Sequence, residues 1–573
     1  MTVGRDESSP LLSNHRALQE NHGATSRRSR NGRTPPSPEP VNGLRSTWYL
    51  ILLSIGIGGL QVAWSVDMSS GSPYLLSLGM SKVLLAFVRL AGPVMGIAVQ
   101  PYVGMLSDKS RFSWGKRRPF IVAGTFWAIA SIMFLAWVRE IIGNGVTVAV
   151  KVAAFLAVYS LEFGLNTIEP TLRALIIDCA PGQQEAANGM ASRSIAVGNI
   201  IGFLAGSIDL RTYLPAKFFG DTQFKALCAF ASLVLAFTIL VTAVCVHEID
   251  PNKAYGGEEE EGEGEGEEDP YGGRGIMGLQ RYLKETIGAV GALSKQIRTL
   301  CTVQLFACFA FYPVLFYASM YVAEIFVEPY LRENPHIDPT ELDRLYEEGT
   351  REGTSALFAN AVLMLGTTVL GPLIVEPTYD DAGEYEDRVV SRWSWRLLLP
   401  IRGLTLKRAW IASLVLLAGI LLAAPFVETV GLAATLVALL GYTWAMFAWA
   451  PFAIIGADRR DEAVDGAVEA PCYDPRPLLS GDDDDDGIIP AVRESVVIVR
   501  QDRAGAILGI HNMAMCTAQL ASTGVSLLVF GVWQKPRGTP GDQSLGILLG
   551  VSGVAGVVAV WLARGIRGRA RSG

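Results

Sequence analysis

The sequence predicts an all-α membrane protein of twelve transmembrane helices in two six-helix bundles. Three observations predict it. Stretches such as 47–57, 83–99, 120–138, 227–246 and 409–426 carry almost no charge, and several approach or exceed the roughly 20 residues that cross a bilayer. At 50% hydrophobic and 18% charged the average resembles a soluble domain, so what decides is segregation: the charges crowd between the apolar runs. A hydrophilic stretch near the middle then divides the runs into two equal sets.

The first six spans fall near 46–75, 82–106, 119–140, 147–178, 190–209 and 223–246. The second six fall near 299–328, 353–375, 408–426, 430–455, 504–531 and 543–563. This gives a polar cytosolic tail at 1–45, a bundle over 46–247, an acidic cytosolic linker over 248–298, and a second bundle over 299–565. Long loops interrupt the second bundle at about 376–407 and 456–503, and a basic tail closes the chain at 566–573. The linker holds Glu258–Glu261 and a Gly/Glu alternation that cannot build a core. Six spans, a polar linker and six spans is the layout of the major facilitator architecture.

Charge sets the orientation. Lys109, Arg111, Lys116, Arg117 and Arg118 lie between spans 2 and 3, Arg388 to Arg408 supply six more between spans 8 and 9, and Arg564 to Arg571 end the chain. Both termini are therefore expected in the cytosol. Residues 1–45 are polar, so the first span is expected to act as its own insertion signal. The seven cysteines mostly sit inside apolar runs without CxxC or metal spacing, as small buried hydrophobes do. No nucleotide-binding glycine loop supports ATP-driven pumping, and no acid/base pair, metal set or nucleophile constellation marks an enzyme. No metal, cofactor or nucleic-acid partner is expected; the partners are a small solute, a proton and the bilayer, and the chain is read as monomeric.

Ionisable groups inside spans are costly and need a reason. Span 4 carries Glu162, Asn166, Glu169 and Arg173 at i, i+4, i+7 and i+11. At about 100° per residue these fall within roughly 60° of one another, a polar face over three turns. Glu169 precedes Arg173 by four, the favourable order for an ion pair. Glu162 has no such local partner, and a carboxylate buried without a counter-charge favours its neutral form, as a reversible proton carrier needs. Pro170 frees the Asn166 carbonyl and offers a bend. Span 1 adds Gln61, Trp64, Asp67, Ser69, Ser70 and Tyr74, with Gly71 and Pro73 loosening its later turns; acid, hydroxyls and aromatics together suit a sugar. Span 7 adds Tyr317, Tyr321 and Glu324 on one face. Arg89 in span 2 could meet Glu162 or Asp67, and His511 and Asn512 in span 11 either join helices or touch substrate.

The segment AGPVMGIAVQPYVGMLSDKSRFSWGKRRPFI, Ala91 to Ile121, carries Gly104, Leu106, Asp108, Gly115, Lys116, Arg117 and Arg118. It resembles the loop 2–3 gating signature of major facilitators. The fuller pattern, with Gln61 to Trp64, Pro73-Tyr74, Arg173 to Leu175, Asp178, Ala196 to Asn199 and Pro313 to Tyr317, resembles the sucrose/proton symporter family of the glycoside–cation symporters. That resemblance implies a proton site at Glu162, eleven positions before Arg173, with a glutamate where plant members have aspartate. Asp67 takes a position that is glutamine in plant members and acidic in animal relatives. Ser81 replaces a histidine, Met320 an aspartate, Arg89 a tryptophan, and Glu324 stands where plant members have arginine.

The acidic loops and the basic, Pro-rich N-terminus look like fungal members. The implied activity is proton-coupled symport of sucrose or a related alpha-glucoside such as maltose, with Glu162 and Asp67 coupling the proton. Gln61, Trp64, Asp67, Asn166, Glu169, Arg173, Tyr317, Tyr321 and Glu324 would contact sugar. The alternatives are a sugar-sensing receptor on the same fold and a vacuolar exporter. The plasma membrane is the expected location; Glu7 with Leu11 and Leu12 fits a dileucine signal for the vacuole.

Overall fold

The computed structural model describes residues 46–108, 110, 112–143, 147–180, 183–215, 219–248, 284, 288, 293–334, 337–375, 401, 403–468 and 488–566. Side chains at 108, 184–185, 452, 455–468 and 488–509 lie outside that description, as do both acidic runs, the N-terminal sorting pattern and most of the loop between spans 8 and 9.

Among the described residues twelve long helices follow the predicted order. They are α1 (Thr47–Ser77), α2 (Lys82–Ser107), α3 (Arg118–Ala136), α4 (Thr147–Cys179), α5 (Gln184–Ser207) and α6 (Gln223–Cys245). After the linker come α7 (Lys295–Glu333), α8 (Pro339–Ile374), α9 (Leu406–Phe426), α10 (Val430–Val468), α11 (Ile488–Trp533) and α12 (Ser544–Ala563). Their starts are set by side chains that accept from otherwise unpaired backbone N–H groups: Ser46 from Tyr49, Ser81 from Leu84, Thr222 from Lys225, Ser294 from Ile297, Asp338 from Thr340 and Thr405 from Arg408.

Among the described residues eleven helices are long and apolar enough to span a bilayer. The helix left out is α5, predicted as a span. It carries Asn188, Ser192, Arg193, Ser194 and Asn199, and turns part of that polarity onto α1, where Ser194 meets Ser54 at 3.1 Å. Large apolar side chains stand exposed on outward faces, among them Phe126, Leu233, Phe237 and Leu240. Such a belt suits lipid rather than water, and the chain is an integral multi-pass membrane protein. Cys245 is exposed on it, whereas Cys179, Cys228, Cys301, Cys308 and Cys516 are buried as expected of small hydrophobes. Helix α8 starts well before the predicted 353, because Asp338 and Pro339 nucleate it outside the apolar core.

Within the first half, α1 packs on α5 and α6, and α4 on α2 and α3. Within the second, α7 packs on α8, α11 and α12, and α8 on α10. The halves meet where α5 lies on α8, α2 on α11, and the later turns of α1 on α7. Gly71 and Pro73 do not break α1. A π-turn over Asp67–Gly71 absorbs the missing proline donor, and the helix resumes at Ser72–Ser77.

Candidate functional site

The polar face of α4 forms as its spacing predicts. Glu162 and Asn166 are buried. Asn166 Nδ2 donates to both the Glu162 carbonyl (2.9 Å) and the Glu162 carboxylate (3.0 Å). Two turns on, Arg173 donates to Glu169 Oε1 at 3.0 and 3.1 Å, with the arginine side chain 52% exposed. Helix α4 runs on through Pro170.

A residue to which sequence reasoning gave no role joins the two ends of this stripe. Gln100 of α2 donates through Nε2 to Asn166 Oδ1 (2.9 Å) and to Glu169 Oε2 (3.4 Å), and accepts from Asn512 of α11 at 3.5 Å. The amide thus ties α4 to α2 and reaches across to the second half. Gln100 stands inside the Ala91 to Ile121 segment, so its presence was visible; its partners were not.

A second buried cluster lies where α1, α2 and α7 meet. Arg89, 2% exposed, donates to Asp67 Oδ2 at 2.5 Å and to the Asp67 carbonyl at 3.3 Å, while Nε and Nη2 donate to Ser72 at 3.1 and 2.8 Å. Its guanidinium lies over the Phe316 ring, 4.5 Å from the centroid, and its carbonyl accepts from Tyr312 at 2.8 Å. Of the two partners open to it, Arg89 takes Asp67. Gly71 makes the approach possible: a Cβ there would lie 2.5 Å from Asp67 Oδ1 and 3.0 Å from Arg89 Nη2. Glu162 has no ion pair among the described residues.

The remaining expected sugar contacts divide. Gln61 Nε2 donates to Asn199 of α5 at 2.9 Å, an oxygen that also accepts from Ser65 at 2.8 Å, so Gln61 joins α1 to α5. The Trp64 indole N–H is buried with no hydrogen-bond partner among the described residues. Tyr317 is buried edge-on against Phe530 at 5.4 Å. Tyr321 and Glu324 stand apart from these groups. The Tyr321 hydroxyl donates to the Ala424 carbonyl at the end of α9 (2.8 Å), inside the second half. Glu324 pairs with Lys82 of α2 at 2.5 Å. The shared helix face of the three residues is real, but two turns of helix are long enough to meet three different neighbours. His511 is buried beside Asn512.

Lys82 anchors a clamp between the halves. It also reaches Asp542 Oδ2 at 2.9 Å and donates to Ser544 at 2.9 Å. Burial pushes the Asp542 carboxyl up, but Lys82 and Ser544 together outweigh it and hold the group below its ordinary value. Nearby, Arg351 pairs with Asp209 (3.0 Å) and Arg211 with Glu347 (3.1 Å), again across the halves. The hydrogen bond from Arg211 holds the Asp209 carboxyl below its ordinary value. Ser319 of α7 donates to the Ser69 carbonyl of α1 at 2.6 Å. The halves are thus joined at their α1–α2 end by charge and hydrogen bonds.

The loop 2–3 residues sit at the opposite end. Arg117 Nε donates to Asp178 at 3.0 Å and Nη1 to Ser107 at 2.5 Å, pinning the ends of α2 and α4. The backbone N–H groups of Arg117 and Arg118 both donate to the Glu248 carboxylate, at 3.0 Å. Gly115 has φ +126°, and a Cβ there would come within 2.8 Å of that carboxylate. Lys116 lies in the same turn; a Cβ at Gly104 would meet nothing within 4 Å; the side chain of Asp108 lies outside the description.

Two six-helix bundles that meet along an interface holding buried ionisable groups have the major facilitator fold. Solved structures agree on that fold. One from a study of substrate recognition in proton-dependent oligopeptide transporters matches at TM-score 0.54, 11% identity, over 91% of this chain and 98% of that one. The D-xylose-proton symporter matches at 0.51 and 12%, over 91% and 99%.

Residues 61–260 match the family described as MFS/sugar transport protein. It is 28% identical to the general alpha-glucoside permease of Schizosaccharomyces pombe, over 94% of this chain and 96% of the permease. It is 34% identical to the sucrose transport protein SUC3 of Arabidopsis thaliana, over 28% of this chain and 29% of that protein. These relatives are transporters, and the chain is a transporter rather than an enzyme.

Proposed function

We propose that the chain carries sucrose or a related alpha-glucoside such as maltose together with a proton, by alternating access of the two halves around a site at mid-membrane. The observation that carries this is Glu162, a buried carboxylate that accepts from the Asn166 amide of its own helix, which in turn accepts from Gln100 of α2. A carboxylate so placed can gain and lose a proton without dismantling an ion pair. The likeness to the general alpha-glucoside permease along almost the whole chain supports the substrate class.

Sugar hydroxyls would find Asn166, Gln100, Glu169 and the exposed Arg173 on one wall, with the indole N–H of Trp64 and the ring of Tyr317 as further surface. The proton gradient is the energy source and no cofactor takes part. The clamp of Lys82 and Arg351 lies on the outer side under the charge-based orientation, which places both termini in the cytosol. We place the protein in the plasma membrane as a monomer.

The test is purified protein in liposomes with radiolabelled sucrose or maltose and an imposed proton gradient. Wild type should accumulate sugar against its gradient, while Glu162→Gln should bind sugar and exchange it but not accumulate it. Accumulation by Glu162→Gln at the wild-type level would remove Glu162 from coupling, and binding without any movement of sugar by wild type would mark a receptor.

A further inference from the structure

The second buried cluster goes beyond that reading while resting on it. Arg89 holds Asp67 through a 2.5 Å ion pair, yet the helix that carries it also faces Glu162. A Cβ at Gly92, three residues on from Arg89, would lie 3.8 Å from both Glu162 oxygens. Glu162 stands within electrostatic reach of Arg89 and Asp67 alike. The other titratable groups facing this cluster are Tyr312 and Tyr317 from α7, Cys228 from α6 and Glu169 from α4. None of these is a cation. Among the described residues, Arg89 is therefore the positive charge on which both carboxylates can draw.

The cluster is neutral overall when Glu162 is protonated: one arginine balances one aspartate. Loss of the Glu162 proton leaves two carboxylates and one guanidinium in a site too dry to ignore the imbalance. We propose that Arg89 is a positioning residue for coupled transport, paired with Asp67 while Glu162 is protonated and drawn toward Glu162 when that proton leaves. In that step the Glu162 O–H bond breaks, water on the open side takes the proton, and the electron pair stays on the carboxylate that Arg89 then meets.

The consequence follows from where Asp67 sits. It opens the π-turn whose Ser69 carbonyl accepts from Ser319, and Arg89 itself stacks on Phe316 and accepts from Tyr312, so the same residues join α1 and α2 to α7. Moving Arg89 off Asp67 loosens this junction between the halves. Proton release on one side thereby favours reopening on the other, which is the return step a symporter needs.

The test compares two modes of transport in proteoliposomes: accumulation driven by a proton gradient, and sugar counterflow without one. The variant is the double Asp67→Asn/Arg89→Gln, which removes both charges and leaves no stranded ion. Expected is a fall in accumulation at least about tenfold greater than any fall in counterflow, as for a residue acting on one step only. Wild-type accumulation by the double variant overturns the proposal. So does an equal fall in both modes, since a structural role would lower them together. Glu162→Gln runs alongside: if it accumulates sugar, the proton-site reading fails; if it does not while the double variant does, only the role of Arg89 fails.

Discussion

Asp67 and Glu162 are both carboxylates buried in the first half, and their surroundings differ in kind. Asp67 is paired with a guanidinium that is itself held by Ser72, Phe316 and the α1 backbone. Glu162 receives one side-chain amide from its own helix and forms no ion pair among the described residues. A fully paired ion contributes shape and register, whereas a carboxylate held by a neutral donor can change charge at little structural cost. The difference separates a group that holds helices together from one that can work as a carrier.

The largest expected effect comes from breaking the paired side of this comparison. Arg89→Gln alone strands Asp67 in the core and should cost about 3–5 kcal/mol of stability, read as a lowered melting temperature of the purified protein in detergent. Glu162→Gln keeps an acceptor for Asn166 and should change stability by less than about 1 kcal/mol. Equal losses in the two variants would show that Glu162 is ion-paired after all and erase the contrast.

A second experiment asks whether the junction of the halves at Lys82 depends on charge as the Asp67 cluster does. Lys82→Gln leaves Glu324 and Asp542, both of the second half, without the first-half cation that ties them to α2. Labelling of a Ser319→Cys reporter by a membrane-impermeant thiol reagent should then rise about tenfold, equivalent to ~1.4 kcal/mol against closure. Unchanged labelling would mean that packing, not the clamp, holds this end shut.

The smallest effect belongs to the exposed ion pair of α4. Arg173→Lys should cost no more than about 0.5 kcal/mol in the same melt, because a half-exposed i,i+4 pair is worth little. A loss approaching that of Arg89→Gln would place Arg173 in a buried network instead.

Much of this was legible beforehand where the information is local. Hydropathy located the helices because a bilayer selects for apolar length along the chain, and helical periodicity aligned Glu162, Asn166, Glu169 and Arg173 because they share one rigid element. The Glu169–Arg173 pair, four residues apart, formed as spacing predicts. Span 7 marks where the local argument ends: Tyr317, Tyr321 and Glu324 share a face, but Phe530, Ala424 and Lys82 decide what each one does.

By itself, then, the sequence determined the helical membrane architecture, its division into halves, and the polar face of α4. The tertiary structure decided that Arg89 pairs with Asp67, that Gln100 bridges Asn166 and Glu169 and meets Asn512, and that Glu324 serves a clamp. Each of those depends on helices far apart in the chain approaching within hydrogen-bond range. Periodicity along one helix carries no record of its neighbour's rotation or depth.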